Sequence, residues 1–301
     1  MTRKHIGIMA GVLLILAASA SLGLKLYIEN DARSRIQQWA NQTGRISALS
    51  YQSLDVGFFS KTVQVRQVSL QIKDTDSPVA VDRLVLHSFD IKNEIPAFMH
   101  VEIQGIRISR SNSFMKGVAP VLSQLGYTDI EANVEYAYRY DSTKKDLEIQ
   151  NVHIRASGMG QLDASARLNN LDLAVVKSVP SNPIALIALI PGVAISNITL
   201  KYQDYSFIRR LIGMGARQSG QSEAQFVSDI IQQLNQEIQI QNLPSARDRI
   251  LAIQNFIKNP GIIEVAISPL EPVALMRFVM MENIEQIVDL LNVSIKYQEV
   301  K

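Results

Sequence analysis

The side chains most able to do chemistry are spread thinly along this chain. Its four histidines, His5, His87, His100 and His153, stand apart and form no metal-ligand spacing. Cysteine is absent, which excludes a disulfide, a thiolate metal site and a cysteine nucleophile. No GxSxG elbow, phosphate loop or GxGxxG motif occurs. Gly158-Met159-Gly160 is a turn signal only. The carboxylates fall singly along the strands and helices. These residues predict no catalytic group, no metal and no cofactor, and the chain does not read as an enzyme. The most distinctive group is Val134, Tyr136, Tyr138 and Tyr140. Alternate strand positions place all four on one face. Tyrosine joins apolar area to a polar tip, which suits a lipid–water boundary. The same stripe also fits a strand packed on a helix with its hydroxyls at the rim.

The elements that hold these residues follow from composition and periodicity. The 301 residues are 47% hydrophobic and 19% charged, a balance that folds and also touches a membrane. The formal charge of +2 includes Arg3, Lys4 and Lys25, beside the N-terminal apolar run. Without them 27 basic residues face 28 acidic ones. A body so near neutrality lacks the electrostatic footprint of a nucleic-acid binder.

"MTRKHIGIMAGVLLILAASASLGLKLYI" pairs a short basic region with an apolar run from Ile6 to Leu24. A spanning helix needs about 20 such residues. "ASASLG" would serve as a cleavage site, but the run continues through Leu26 and Tyr27, which favours a retained anchor. Basic residues ahead of the span keep the N-terminus cytoplasmic and send the rest across. "IENDARSRIQQWANQTG" then carries Ile28, Ala32, Ile36, Trp39 and Ala40 at helical spacing and ends at Gly44.

From Ile46 to about Leu173 the dominant period is two. Within it a faulted strand recurs. Two alternating apolar residues are followed by a polar residue or glycine where an apolar one is due, and the alternation then resumes one residue late. The fault falls at Gln67 in Val63–Leu70, Gly105 in Val101–Ile108, Asn151 in Leu147–Ile154 and Asn197 in Val193–Leu200. The starts lie 38, 46 and 46 residues apart, as copies of one supersecondary unit would. A one-residue shift sends every later side chain to the other face, and a β-bulge supplies the residue that restores the facing. Gln67, Gly105, Asn151 and Asn197 are the expected bulge positions. Two short strands meeting at a kink would give the same pattern.

"VPSNPIALIALIPG" ends the strand regime, with Ile184, Leu186, Ile187, Leu189 and Ile190 apolar nearly all round. "DYSFIRRLIGMGARQ", "SEAQFVSDIIQQLNQEI" and "SARDRILAIQNFIKNP" predict amphipathic helices. "GIIEVAISP" predicts a strand, "EPVALMRFVMMENIEQIVDLL" one helix, and "NVSIKYQ" a closing strand. The expected fold class is α+β, mainly β. It has an N-terminal transmembrane helix, a curved antiparallel β-sheet of bulged strands, and amphipathic helices packed in the C-terminal part. The divisions are a cytoplasmic segment 1–5, a signal anchor 6–27, a linker helix 28–44, a sheet domain 45–178 and a mixed part 179–301.

The span, the short helix and "ISALSYQSLDVGFFSKTVQVRQVSLQI" resemble, in that order, the start of AsmA-like envelope proteins. "YQSLDVGFFS" is also similar to the start of bacterial YdgA-like (DUF945) proteins. The match is best over residues 6–72 and extends loosely through the asparagine-bearing strands to about 200. The resemblance implies an inner-membrane anchor, a periplasmic body and a curved sheet with an apolar inner face, as in groove-forming lipid-transfer proteins. It carries over no catalytic residues. The expected function is to bind or shield lipid or another apolar ligand in envelope maintenance. The alternative is a non-catalytic scaffold or assembly subunit of a membrane complex. Membrane lipid is the expected partner, with other envelope proteins as further candidates. Val65, Ile103, Ile149, Ile195, Tyr136 and Tyr138 are the candidate lipid-facing residues.

Overall fold

A computed structural model describes residues 46–57, 62–73, 75–90, 92–93, 95–109, 112, 115–178, 191–241, 247–279, 281 and 284–300. The expected anchor, the linker helix and the apolar segment 184–190 lie outside these residues. Among the described residues no helix is long and apolar enough to cross a membrane. The fold is mostly antiparallel β-sheet with some helices. The chain divides into two compact units, with the boundary between Tyr138 and Arg139.

The first unit contains β1 (Ile46–Ser50), β2 (Ser53–Gly57), β3 (Thr62–Ile72), β4 (Val79–Phe89), β5 (Phe98–Ser109), a short α1 (Ala119–Gln124) and the first part of β6 (Asp129–Asp141). The order across the sheet is β1-β3-β4-β5-β6, and β2 continues the edge strand beside β3. Cross-strand partners share a face, so the register gives apolar rows directly. Val63 faces Leu86 and Val101, Val65 faces Leu84 and Ile103, and Val68 faces Val81 and Ile106. All but Val65 are at most 7% exposed. Each such side chain contributes roughly 1.5–3 kcal/mol on burial, so this face is the core of the unit.

No residue is inserted at Gln67 or Gly105, contrary to the bulge expected there. Both sit opposite Asp82 in an unbroken register. The reason is that β4 slips at the same level. Its apolar residues are Val79, Val81, Leu84 and Leu86, with Asp82 and Arg83 adjacent between them. The edge strand also breaks at this level, between β1 and β2. Neighbours that shift together need no extra residue. The backbone instead turns through a left-handed conformation, at φ +50° for Gln67 and +62° for Gly105.

Asp82 organises this crease. Its carboxylate accepts two hydrogen bonds from Arg107, at 2.6 and 2.8 Å, and Gln67 Nε2 reaches it at 3.5 Å. The Arg107 hydrogen bonds hold the Asp82 carboxyl below the usual carboxylate range, against the opposing effect of burial. Asp82 also lies over Gly105, where a side-chain carbon would come 2.1 Å from its oxygen. On the far side Gly105 N–H donates to Asn133 Oδ1 on β6, at 2.8 Å. The pair is exposed and salt-screened, so it selects a conformation rather than supplying the bulk of stability.

The second unit holds the rest of β6, then β7 (Asp146–Ala156), β8 (Gly160–Asn169), α2 (Leu173–Ser178), β9 (Ala194–Asp204), α3 (Phe207–Gln218), α4 (Glu223–Gln241), α5 (Arg247–Lys258), β10 (Ile262–Ile267), β11 (Val273–Ala274), α6 (Met276–Val279), α7 (Ile284–Leu290) and β12 (Val293–Gln298). Its order is β7-β8-β9-β10-β12, with β11 on β9. β7 and β8 therefore group with the later strands, not with the earlier ones as a sheet domain over 45–178 would have it. Here the slips do insert a residue. β8 alternates without fault, so the β7 register shifts between Ile149 and Val152, and the β9 register shifts between Ile195 and Asn197. Neither Asn151 nor Asn197 needs a positive φ. The helix expected over 271–291 is broken into β11, α6 and α7. Val273 and Ala274 pair with Ile195 and Ala194, and strand pairing overrides the helical pattern there.

Gly105→Ala should destabilise the chain by about 1–3 kcal/mol from backbone strain alone, and further through contact with Asp82. Adding Asp82→Ala should relieve the clash with the carboxyl group, but neither the 2.8 Å contact with the Cβ of residue 82 nor the strain, a partial rescue visible in a denaturant double-mutant cycle. Unaltered stability in Gly105→Ala would show that the crease is not held this way.

Candidate functional site

The β7 bulge falls at Gln150–Asn151, while on β9 the extra residue is Ser196 and Asn197, the expected position, pairs with Arg167; together the two bulges keep three apolar rows on one face of the second unit. Ile149, Ala166, Ile198, Ile267 and Val293 form the first. Val152, Ala164, Leu200, Val265 and Ile295 form the second. Ile154, Leu162, Tyr202, Ile263 and Tyr297 form the third. The reverse face is charged. His153, Asp163, Lys201, Glu264 and Lys296 stand opposite one another across the same five strands, with signs alternating from Asp163 to Lys296. Opposite charges placed across strands support the pairing.

The first unit's face is sealed, and this one is not. α5 lies along β10 and β12. Arg249 Nη1 donates to the Val293 carbonyl at 3.2 Å, Phe256 meets Tyr202 edge-on at 6.2 Å between centroids, and the Tyr297 hydroxyl donates to the Asn259 carbonyl at 2.8 Å. Among the described residues the helical cover thins toward the middle of the sheet. Leu200, on the middle strand, is 37% exposed. Ile149, Val152, Ile198 and Val265 are half-buried. The arrangement is an apolar surface exposed at Leu200 and backed by a charged face.

The candidate lipid-facing residues are therefore divided. Ile149 lies on the half-open face, and Val65 is half-buried in the first unit. Ile103 and Ile195 are buried, at 1% and 8% exposed. Tyr138 is 9% exposed, and its hydroxyl donates to the Pro96 carbonyl at 3.1 Å. Tyr136 packs beside it, with ring centroids 5.6 Å apart, and burial pushes its hydroxyl up to about 12. Val134 and Tyr140 are buried as well. The stripe is thus packing surface rather than an exposed boundary. The shared facing of Leu200, Val265 and Ile295 depends on a register that no single strand displays.

The histidines are not as scattered as their spacing suggests. His87 is the extra residue where the β4–β5 register shifts between Leu86 and Ser88. That bulge brings its ring onto His100, with centroids 4.5 Å apart. His87 Nε2 lies 3.1 Å from Glu102, and His100 Nε2 lies 2.9 Å from Glu135. Burial pushes the Glu102 carboxyl up, but hydrogen bonds from Gln104 and His87 and the charge of Arg83 outweigh it and hold it low. Asp163 behaves alike. Burial raises it, while Gln161 at 3.0 Å, His153 at 2.5 Å and the Lys201 charge lower it further. Among the described residues no group of three or more acids and imidazoles could hold a metal ion.

A family model described only as an uncharacterized protein matches residues 153–298. No curated protein matches the chain. The matched stretch falls within the second unit and takes in most of its apolar face.

Carboxyls held low when folded stabilise the protein fully above their unfolded value, near 4, and lose that contribution as pH falls through the folded value. The melting temperature should therefore hold steady down to about pH 5 and drop below about pH 4. Glu102→Gln with Asp163→Asn should make that acid drop shallower. An identical acid profile in the double variant would remove these two groups from the account.

Proposed function

We propose that this chain is an inner-membrane-anchored periplasmic protein whose second unit binds or shields lipid, or another apolar ligand, on its open sheet face in envelope maintenance. The observation that carries the reading is Leu200, 37% exposed at the middle of an apolar row, with its reverse face charged. A monomer that left such a surface to water would forgo about 25 cal/mol for each Å². An acyl chain laying ten methylenes there would recover roughly 8 kcal/mol. Immobilisation costs 4 kcal/mol or more, so binding is expected to be weak enough for exchange. The anchor at 6–27 would hold this surface near a lipid supply.

A scaffold role is the second reading. Leu270, between Pro269 and Pro272, is fully exposed, and Met276 nearby is 44% exposed. Such side chains suit contact with a partner protein.

Adjacent positions on opposite faces make the test. A photoreactive residue at Leu200 or Val265 should capture lipid in the living cell, and one at Lys201 or Lys296 should not. Equal capture on both faces, or none on either, defeats the lipid reading, and capture of a protein through Leu270 favours the second. Separately, alkaline phosphatase fused after Lys301 should be active in a bacterial host. An inactive fusion of full length would overturn the topology.

A further inference from the structure

The second unit also has a groove of about 610 Å³ among α3, α4 and the end of α5. Ile212, Val227, Ile231 and Ile257 give it apolar walls, and Arg209 and Lys258 stand among its polar lining. Its volume lies within the roughly 300–1,000 Å³ of small-molecule sites. The charge of α3 is the telling feature. This helix has no acid and carries Arg209, Arg210 and Arg217. Arg209 and Arg210 occupy its first turn, where the helix dipole disfavours cations. Folding is served there by Asp204, whose Oδ1 accepts from the Ile208 N–H at 2.8 Å. Arg209, the one that lines the groove, is exposed, so burial does not demand it. Lys258 closes α5, where a cation is favourable. Glu223 is the one acid among the described lining residues. Its carboxylate lies against Gly213, 2.7 Å from where a side-chain carbon would stand, and Arg217 comes within 3.5 Å of the same point. The groove thus couples apolar walls to an excess of positive charge.

We propose that this groove takes a long-chain fatty acid, with its tail among Ile212, Val227, Ile231 and Ile257 and its carboxylate between Arg209 and Lys258. The proposal rests on the preceding reading only for the apolar class of ligand, and it names a separate site.

Palmitate carrying a diazirine in its chain tests it on the full chain held in zwitterionic nanodiscs. Labelled peptides should map to α3, α4 and the end of α5. In Arg209→Gln with Lys258→Gln the half-saturating concentration of palmitate should rise about tenfold or more, while that of 1-hexadecanol moves less than about twofold. The wild-type map needs no variant, so a misfolded double variant does not rescue the idea. Label confined to β7–β10 overturns the groove and leaves the sheet-face reading standing. Label nowhere overturns both. Label in the groove with affinity indifferent to the two cations overturns the carboxylate assignment and with it the proposal.

Discussion

A strand presents successive side chains to opposite faces, so a long strand keeps one face apolar through a bend only by breaking its own alternation. That constraint governs this protein. Four strands carry the same fault in sequence, and each must be reconciled with its neighbours. In the first unit the neighbours fault together at Asp82, and the left-handed turns of Gln67 and Gly105 carry the chain across the crease. In the second unit β8 runs straight, so β7 and β9 each absorb an extra residue beside it.

The difference has a consequence for what each face can do. A crease shared by several strands leaves the apolar rows aligned, and those rows are buried almost completely. The bulges flanking β8 also keep the rows aligned, yet among the described residues helical cover reaches β10 and β12 and thins toward the middle of the sheet, leaving Leu200 exposed at the centre. Similar strand sequences thus build a closed core in one unit and an open apolar surface in the other. Charge on the reverse side, from Asp163 to Lys296, keeps that second sheet soluble on one face only.

The strands were legible because apolar spacing records facing directly. β3, β5, β7 and β9 lie where the repeated pattern placed them. The meaning of the fault was less legible, since it depends on whether the neighbour faults too. β4 does, but it uses Asp82 and Arg83 where the other strands use glutamine, glycine or asparagine, so a search for those residues passes over it. Asparagine tolerates a left-handed backbone better than glutamine does, yet it is Gln67 that adopts one, and neither Asn151 nor Asn197 does. The stacked pair of His87 and His100 was hidden because a hairpin register, not a sequence interval, brings them together. The helix expected over 271–291 failed where β11 found a partner in β9. Periodicity reports what one segment prefers alone, and long-range pairing can overrule it.

The central claim is that the open face of the second unit carries an apolar ligand, and native mass spectrometry of the full-length protein released from mild detergent tests it most directly. The account predicts a lipid-mass adduct whose occupancy collapses when Leu200→Glu places a charge at the middle of the row. With an adduct of fatty-acid mass assigned to the separate groove among α3, α4 and α5, a bare protein mass, or any heavier lipid adduct that Leu200→Glu leaves untouched, would contradict it.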